Sequence, residues 1–298
     1  GPNTKKDLLL AVVVATFLGG LVTFIWEALD NAVRSSEEIQ EQSLTLLGIT
    51  PKLPDPDQGQ FKINLPWAVE RDAPILELLS WRPFRESLDL IYKNIELVSS
   101  ETGIQSLAVT SALTGEGKST LAVGLAFSAT RLNRRVLLVD ADLRQPNLHE
   151  QFDLPNESGL ATFLAGETKP VAHRVELMGS AIDVLTAGPP PSDPVQLLSS
   201  WRLQDLKNAF ADYDLIVFDT PPVLGIVDTM QIASSCSATV LVARLNYVTQ
   251  SELNQACHQL SKLNVVGIVA NGARETGNPY LSMNEQNSYL SSAEPSTP

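Results

Sequence analysis

A lysine and a hydroxyl residue behind a glycine turn make a phosphate-binding arrangement, and residues 111–120, SALTGEGKST, have that composition in that order. The pattern A-x-x-x-x-G-K-S runs from Ala112 to Ser119, after an apolar run that reads as a strand and before a segment that reads as a helix. The backbone N–H groups of such a loop, here Thr114, Gly115, Glu116, Gly117, Lys118, Ser119 and Thr120, gather at a helix N-terminus and cradle a polyphosphate. The Lys118 amine is then expected to reach the β- and γ-phosphate oxygens, and the Ser119 hydroxyl to take a place on Mg²⁺. The ligand expected from these residues is Mg-ATP.

Three carboxylates are spaced to face it. Asp140 and Asp142 close the segment RVLLVDAD, and residues two apart at a strand end project to one side. A solvated acidic loop has the same composition; what distinguishes this pair is its distance from the phosphate loop, where a neighbouring strand should end. Asp219 closes DLIVFD ahead of Pro221 and Pro222, the place of a carboxylate that holds Mg²⁺ or its waters, although an aspartate capping a proline turn is also common there. Lys118, Asp140 and Asp142 are the catalytic candidates; Ser119, Asp140 and Asp219 are the metal candidates. His149, His173 and His258 are scattered, and Cys236 and Cys257 match no metal or redox spacing. The cysteines read as small buried apolar side chains.

The elements that must position these residues follow from hydrophobic pattern. Apolar runs at 106–111, 135–140, 181–187, 214–220, 238–243 and 265–271 read as strands, with helices at 117–132 and 249–263. Such alternation predicts an α/β fold with a mainly parallel sheet, helices on both faces and a ligand beyond the carboxyl ends of the strands. Upstream, residues 82–98 have helical spacing, with Phe84, Leu88, Ile91, Ile95 and Val98 on one face. Residues 51–66 hold four prolines and predict an extended connector. Ser35 and Glu38 form a capping box that opens a short amphipathic helix expected to stop at Gly48.

The chain has 298 residues and a net charge of −13, which excludes nucleic-acid binding through a basic field. Leu8 to Trp26 is a run of 19 residues without charge, about 28 Å long as a helix and matched to a bilayer core. Gly19 and Gly20 are tolerated in membrane helices, and Trp26 sits where an interfacial aromatic belongs. Lys5 and Lys6 before the span would by themselves put the N-terminus inside; the requirement for ATP places the domain after the span in the cytoplasm instead. The chain begins Gly1-Pro2, without an initiator Met, and is expected to be a fragment. The expected organisation is an extracytoplasmic stub at 1–7, a transmembrane helix at 8–28, a cytoplasmic juxtamembrane linker at 29–70, a P-loop domain at 71–272 and a flexible tail at 273–298.

These motifs together resemble the bacterial tyrosine kinases of capsule and exopolysaccharide synthesis, relatives of the MinD and ParA ATPases. GEGKST is similar to the family's Walker A, LLVDADLRQPNLH to its Walker A′ and VFDTPPV to its Walker B; GLATFLAGE, DVLTAGPPPSDPVQLLSS and VVGIVANG look like further family segments. The lysine pair, the apolar span and LDNAVRSSEEIQ resemble the second transmembrane helix and cytoplasmic exit of Wzz-type polysaccharide co-polymerases. The resemblance implies a membrane-anchored, ATP- and Mg²⁺-dependent protein tyrosine kinase in the bacterial inner membrane, its kinase domain cytoplasmic. It would self-associate, autophosphorylate its tail in trans and act on the polysaccharide polymerisation and export machinery. Lys118 would bind phosphates, Ser119 and Asp219 would organise Mg²⁺, and Asp140 and Asp142 would line the transfer site, one of them as general base. Position 113, a signature lysine in MinD-type ATPases, is Leu113, which favours the kinase branch.

Two departures bear on function. The family's C-terminal tyrosine cluster is reduced to Tyr280 and Tyr289, the phosphoacceptor candidates. The family's Glu-x-x-Arg-x-x-Arg ring motif retains Glu86, but Asp89 and Tyr92 replace the arginines, with Arg82 and Arg85 nearby. A P-loop ATPase switch without kinase activity, and a non-enzymatic co-polymerase scaffold, are the alternative functions; the sparse tail fits the first, and the intact motif residues oppose the second.

Overall fold

The structure, a computed structural model, describes residues 15–17, 19–20, 32–40, 44–52, 75–99, 103–198 and 202–273. Among these, β1 (Leu46–Pro51), β2 (Ser106–Ser111), β3 (Val136–Asp140), β4 (His173–Leu177), β5 (Ser180–Leu185), β6 (Leu215–Asp219), β7 (Ala238–Arg244) and β8 (Val265–Ala273) form one sheet. Its order is β1-β8-β7-β2-β6-β3-β5-β4. Every neighbouring pair is parallel except β4 and β5, which make an antiparallel edge. The helices are α1 (Ser36–Gln40), α2 (Ile75–Ser80), α3 (Arg82–Val98), α4 (Lys118–Arg131), α5 (Leu148–Gln151), α6 (Leu160–Ala165), α7 (Pro194–Leu198), α8 (Arg202–Ala209), α9 (Asp228–Ser235) and α10 (Gln250–Leu260).

The apolar strands are buried on both sides because alternate residues enter different cores. Val109, Leu138, Val217 and Val242 pack under α3 and α4. Their neighbours Val139 and Phe218 face α6 and α8, and Leu241 and Ala243 face α10. The central order β7-β2-β6-β3 brings the carboxyl ends of four strands together. Asp140 and Asp219 are register partners at the last position of β3 and β6, so the placement of their carboxylates follows from strand pairing.

Several expectations change. Ser35 does cap α1, its hydroxyl accepting from Glu38 N at 3.4 Å. The helix is described as far as Gln40, and from Leu46 the chain expected to stay helical to Gly48 is instead β1, paired in parallel with β8. A Cβ on Gly48 would lie 2.6 Å from the Ile91 side chain, so glycine there lets α3 lie against β1. Val33 also joins the domain: its N–H donates to Val248 O at 2.8 Å, and Asn246 N donates back to Val33 O at 2.7 Å. On α3, Phe84, Leu88, Ile91 and Ile95 are buried, joined by Tyr92, while Val98 is 51% exposed. β4 was not among the expected strands; as an edge it is mostly unburied, so its pattern is short and polar.

The predicted membrane helix at 8–28 lies outside the described residues apart from 15–17 and 19–20, which are helical and exposed. Among the described residues no helix is long and apolar enough to cross a membrane. Tyr280 and Tyr289 also lie outside them.

Candidate phosphate-binding and transfer site

The loop from Ala112 to Gly117 leaves the central strand β2 and feeds α4 directly. Gly115 and Gly117 have φ of +79° and +91° on either side of Glu116, an alternation that curls successive N–H groups toward one concave side, at the N-terminus of a 14-residue helix. At Gly117 the need for glycine is double: besides the positive φ, a Cβ would sit 2.2 Å from Nδ2 of Asn271.

Lys118 points across this mouth. Its amine lies 3.4 Å from Oδ2 of Asp142 and 3.5 Å from the Ser119 hydroxyl. Burial works against its charge, but the carboxylates of Asp219, Asp142 and Asp140 outweigh it and hold the lysine above its usual pKa. Asp219 is 1% exposed, and its Oδ1 has no hydrogen-bond partner. Burial raises its pKa even though Lys118 and the Ser119 hydroxyl pull the other way. Asp140 is likewise raised, first by burial and then by the charge of Asp219.

The two Walker A′ carboxylates do different work. Asp140 is turned into its own loop: Oδ2 accepts from Asn147 N and Leu148 N, both at 3.0 Å, and Oδ1 accepts from Asp142 N at 3.3 Å. It thereby fixes residues 141–148 and the start of α5. Asp142 accepts from Gln145 N through Oδ1 and presents Oδ2 to Lys118.

Mg²⁺ fits these donors. Among the described residues no three His, Cys, Asp or Glu side chains converge as a ready-made cage. That suits an ion that keeps several waters and takes few protein ligands beside substrate phosphates. A buried carboxylate oxygen without a partner, next to a serine hydroxyl and a lysine, is the donor set such an ion completes.

Glu116, expected among the phosphate-binding residues, turns its side chain inward, away from the mouth of the loop. The carboxylate is 0% exposed and accepts from Leu113 N at 2.6 Å and Arg244 N at 2.9 Å. Burial pushes it up to about 7, against the pull of the Arg244 and Leu113 N–H groups. Sequence reasoning also missed Arg144, which grips the fully buried Asp228 through two nitrogens at 2.7 and 3.1 Å. Arg244, Tyr247 and Asn271 were missed as well; each is a single polar residue near the end of an apolar run, with no local pattern to mark it.

On α3, the positions read against the ring motif make contacts within the chain. Glu86 pairs with Arg82, Asp89 with Arg131, and the buried Tyr92 accepts from Arg134 at 3.4 Å.

The profile of the CobQ/CobB/MinD/ParA nucleotide binding domain matches residues 107–290. The tyrosine-protein kinase YwqD of Bacillus subtilis is 35% identical over 192 residues, 63% of this chain and 81% of that protein. The tyrosine-protein kinase etk of Escherichia coli K12 is 31% identical over 91% of this chain but only 39% of its own length. Among solved structures, the kinase domain of the E. coli tyrosine kinase ETK superposes with a TM-score of 0.72 at 26% identity, covering 83% of this chain and 97% of that one. The chain thus spans most of the Bacillus relative and about two fifths of the E. coli one.

Proposed function

Since the chain belongs to the bacterial tyrosine-protein kinases, within the CobQ/CobB/MinD/ParA nucleotide-binding family, we propose that it transfers the γ-phosphoryl group of ATP to tyrosine hydroxyls of protein. The observation that carries this reading is the convergence of Lys118, Asp142 and the unpartnered Asp219 oxygen on the mouth of the phosphate loop. A carboxylate is held at the entrance by an ion pair that the incoming nucleotide would break.

Lys118 leaves Asp142 for the β- and γ-phosphate oxygens when nucleotide enters, and Asp142 is left with a free oxygen facing the acceptor. The tyrosine oxygen forms the new bond to phosphorus as the bond to the β–γ bridging oxygen breaks, and ADP departs with that electron pair. With a phenol pKa near 10, the proton leaves during transfer and not before it; Asp142 receives it and passes it to solvent. Mg²⁺, held by Ser119 and Asp219, would neutralise charge on the phosphates. Asp140 acts through the loop it braces. Of the pair, the free oxygen makes Asp142 the better general base.

The family resemblance supports extending this to the whole protein. The tail tyrosines Tyr280 and Tyr289 are the acceptors, modified in trans by an associated copy. The helix at 8–28 anchors the protein in the bacterial inner membrane with the kinase domain cytoplasmic, and the output is control of polysaccharide chain length or export. Lys118→Met is expected to abolish Mg-ATP binding in a protein that still folds, with the thermal unfolding curve moved only by the loss of the lysine's pairing with Asp142 and Asp219. A well-folded Lys118→Met protein with wild-type affinity, measured by calorimetry, would remove this site assignment.

A further inference from the structure

Three side chains from outside the phosphate loop hold its backbone at consecutive residues, and one of the loop's own side chains ties it down from beneath. Tyr247 donates its hydroxyl to Thr114 O at 3.0 Å, the Arg244 guanidinium donates to Gly115 O at 2.9 Å, and Asn271 Nδ2 donates to Glu116 O at 2.6 Å. The buried Glu116 carboxylate then ties Leu113 N to Arg244 N, joining the loop to the end of β7. Arg244 also lies over the Tyr247 ring, 5.2 Å from its centroid, so the two donors brace each other.

The consequence lies in peptide geometry. In a planar trans peptide the carbonyl of one residue and the N–H of the next point in opposite directions. Holding the carbonyls of Thr114, Gly115 and Glu116 outward therefore aims the N–H groups of Gly115, Glu116 and Gly117 inward, where phosphate oxygens bind. A glycine loop free to flip these peptides would have to order them on binding, at an entropic cost.

We infer that Arg244 and Tyr247 are positioning residues for nucleotide phosphate: with Glu116 and Asn271 they form a clamp, anchored on the ends of β7 and β8, that preforms the phosphate loop. They need touch no ligand; they act through three loop peptides. The inference rests on the reading of this loop as the nucleotide site, and the test separates the two.

The test is calorimetric titration of the full chain with MgADP, alongside thermal unfolding without nucleotide and steady-state kinetics with ATP. Tyr247→Phe deletes one hydroxyl, and Arg244→Met keeps the aliphatic stem while deleting the guanidinium. Each is expected to weaken MgADP about fivefold, the size of one hydrogen bond, and the double variant by more than tenfold. KM for ATP should rise in step while kcat stays near wild type, and the melting temperature without nucleotide should stay put, since both side chains lie at the exposed end of the clamp. A double variant with wild-type MgADP affinity overturns the clamp. So does a parallel loss of melting temperature with affinity unchanged, which would assign both residues to the fold alone. A wild-type protein that fails to bind MgADP, or a Lys118→Met variant that still binds it, would sink the nucleotide site itself.

Discussion

Glu116 sits where water does not reach it, with two backbone N–H groups to hold its charge and the carboxylate of Glu252 adding to the rise that burial causes. Its pKa climbs from the ordinary value to about 7, so the folded state takes up this proton more readily than the unfolded chain. The contribution to stability is then complete below pH ~4.5 and is lost as pH rises through ~7. Between pH 5 and 8 the wild type should lose stability relative to Glu116→Gln, by on the order of 3 kcal/mol at most. Urea unfolding of both proteins across that range checks this, and parallel pH profiles would contradict it. The place of this residue in a phosphate-loop pattern was legible from GEGKST alone. The inward turn of its carboxylate was not, because its partner Arg244 lies 128 residues away and no spacing records such a contact. The division of labour between Asp140 and Asp142 was hidden for a related reason: residue type marks both as acids, and only hydrogen bonding shows which oxygen is already taken.

At the scale of elements, β2, its loop and α4 were legible because strand, turn and helix signals are contiguous, and β3, β6 and β7 because buried parallel strands are near-continuous apolar runs. β1 was lost because LLGITP holds a glycine and a proline and forms a strand only by pairing with β8, more than 200 residues later. Its neighbour in sequence, the segment around Ala32 and Val33, pairs with residues 246–249 beside the clamp. The apolar run at 8–26, expected from its length, its lack of charge, its glycines and Trp26, carries its own test. Deleting residues 8–26 is expected to move the protein from the lipid pellet to the supernatant in vesicle sedimentation; a monodisperse deletion variant that still sediments with lipid would contradict the membrane span.

Across the whole molecule, one end of the sheet gathers the chemistry. The phosphate loop follows β2, Asp140 ends β3 with Asp142 just after it, Asp219 ends β6, and Arg244 and Asn271 lie near the ends of β7 and β8 with Tyr247 just past β7, as expected of a parallel sheet whose ligand sits beyond its carboxyl edge. The mainly parallel α/β fold and the motif segments could be read before any coordinates, whereas the clamp depends on strand order, which brings β7 beside β2. The account's central claim is phosphoryl transfer to tyrosine, and it is tested most directly by intact-mass and fragment mass spectrometry after incubation with Mg-ATP, wild type beside Lys118→Met. Added mass of one or more phosphates, mapped to Tyr280 or Tyr289 in the wild type and absent from the variant, is the predicted result. ATP consumed with no phosphotyrosine formed would contradict the kinase and leave a nucleotide-hydrolysing switch in its place.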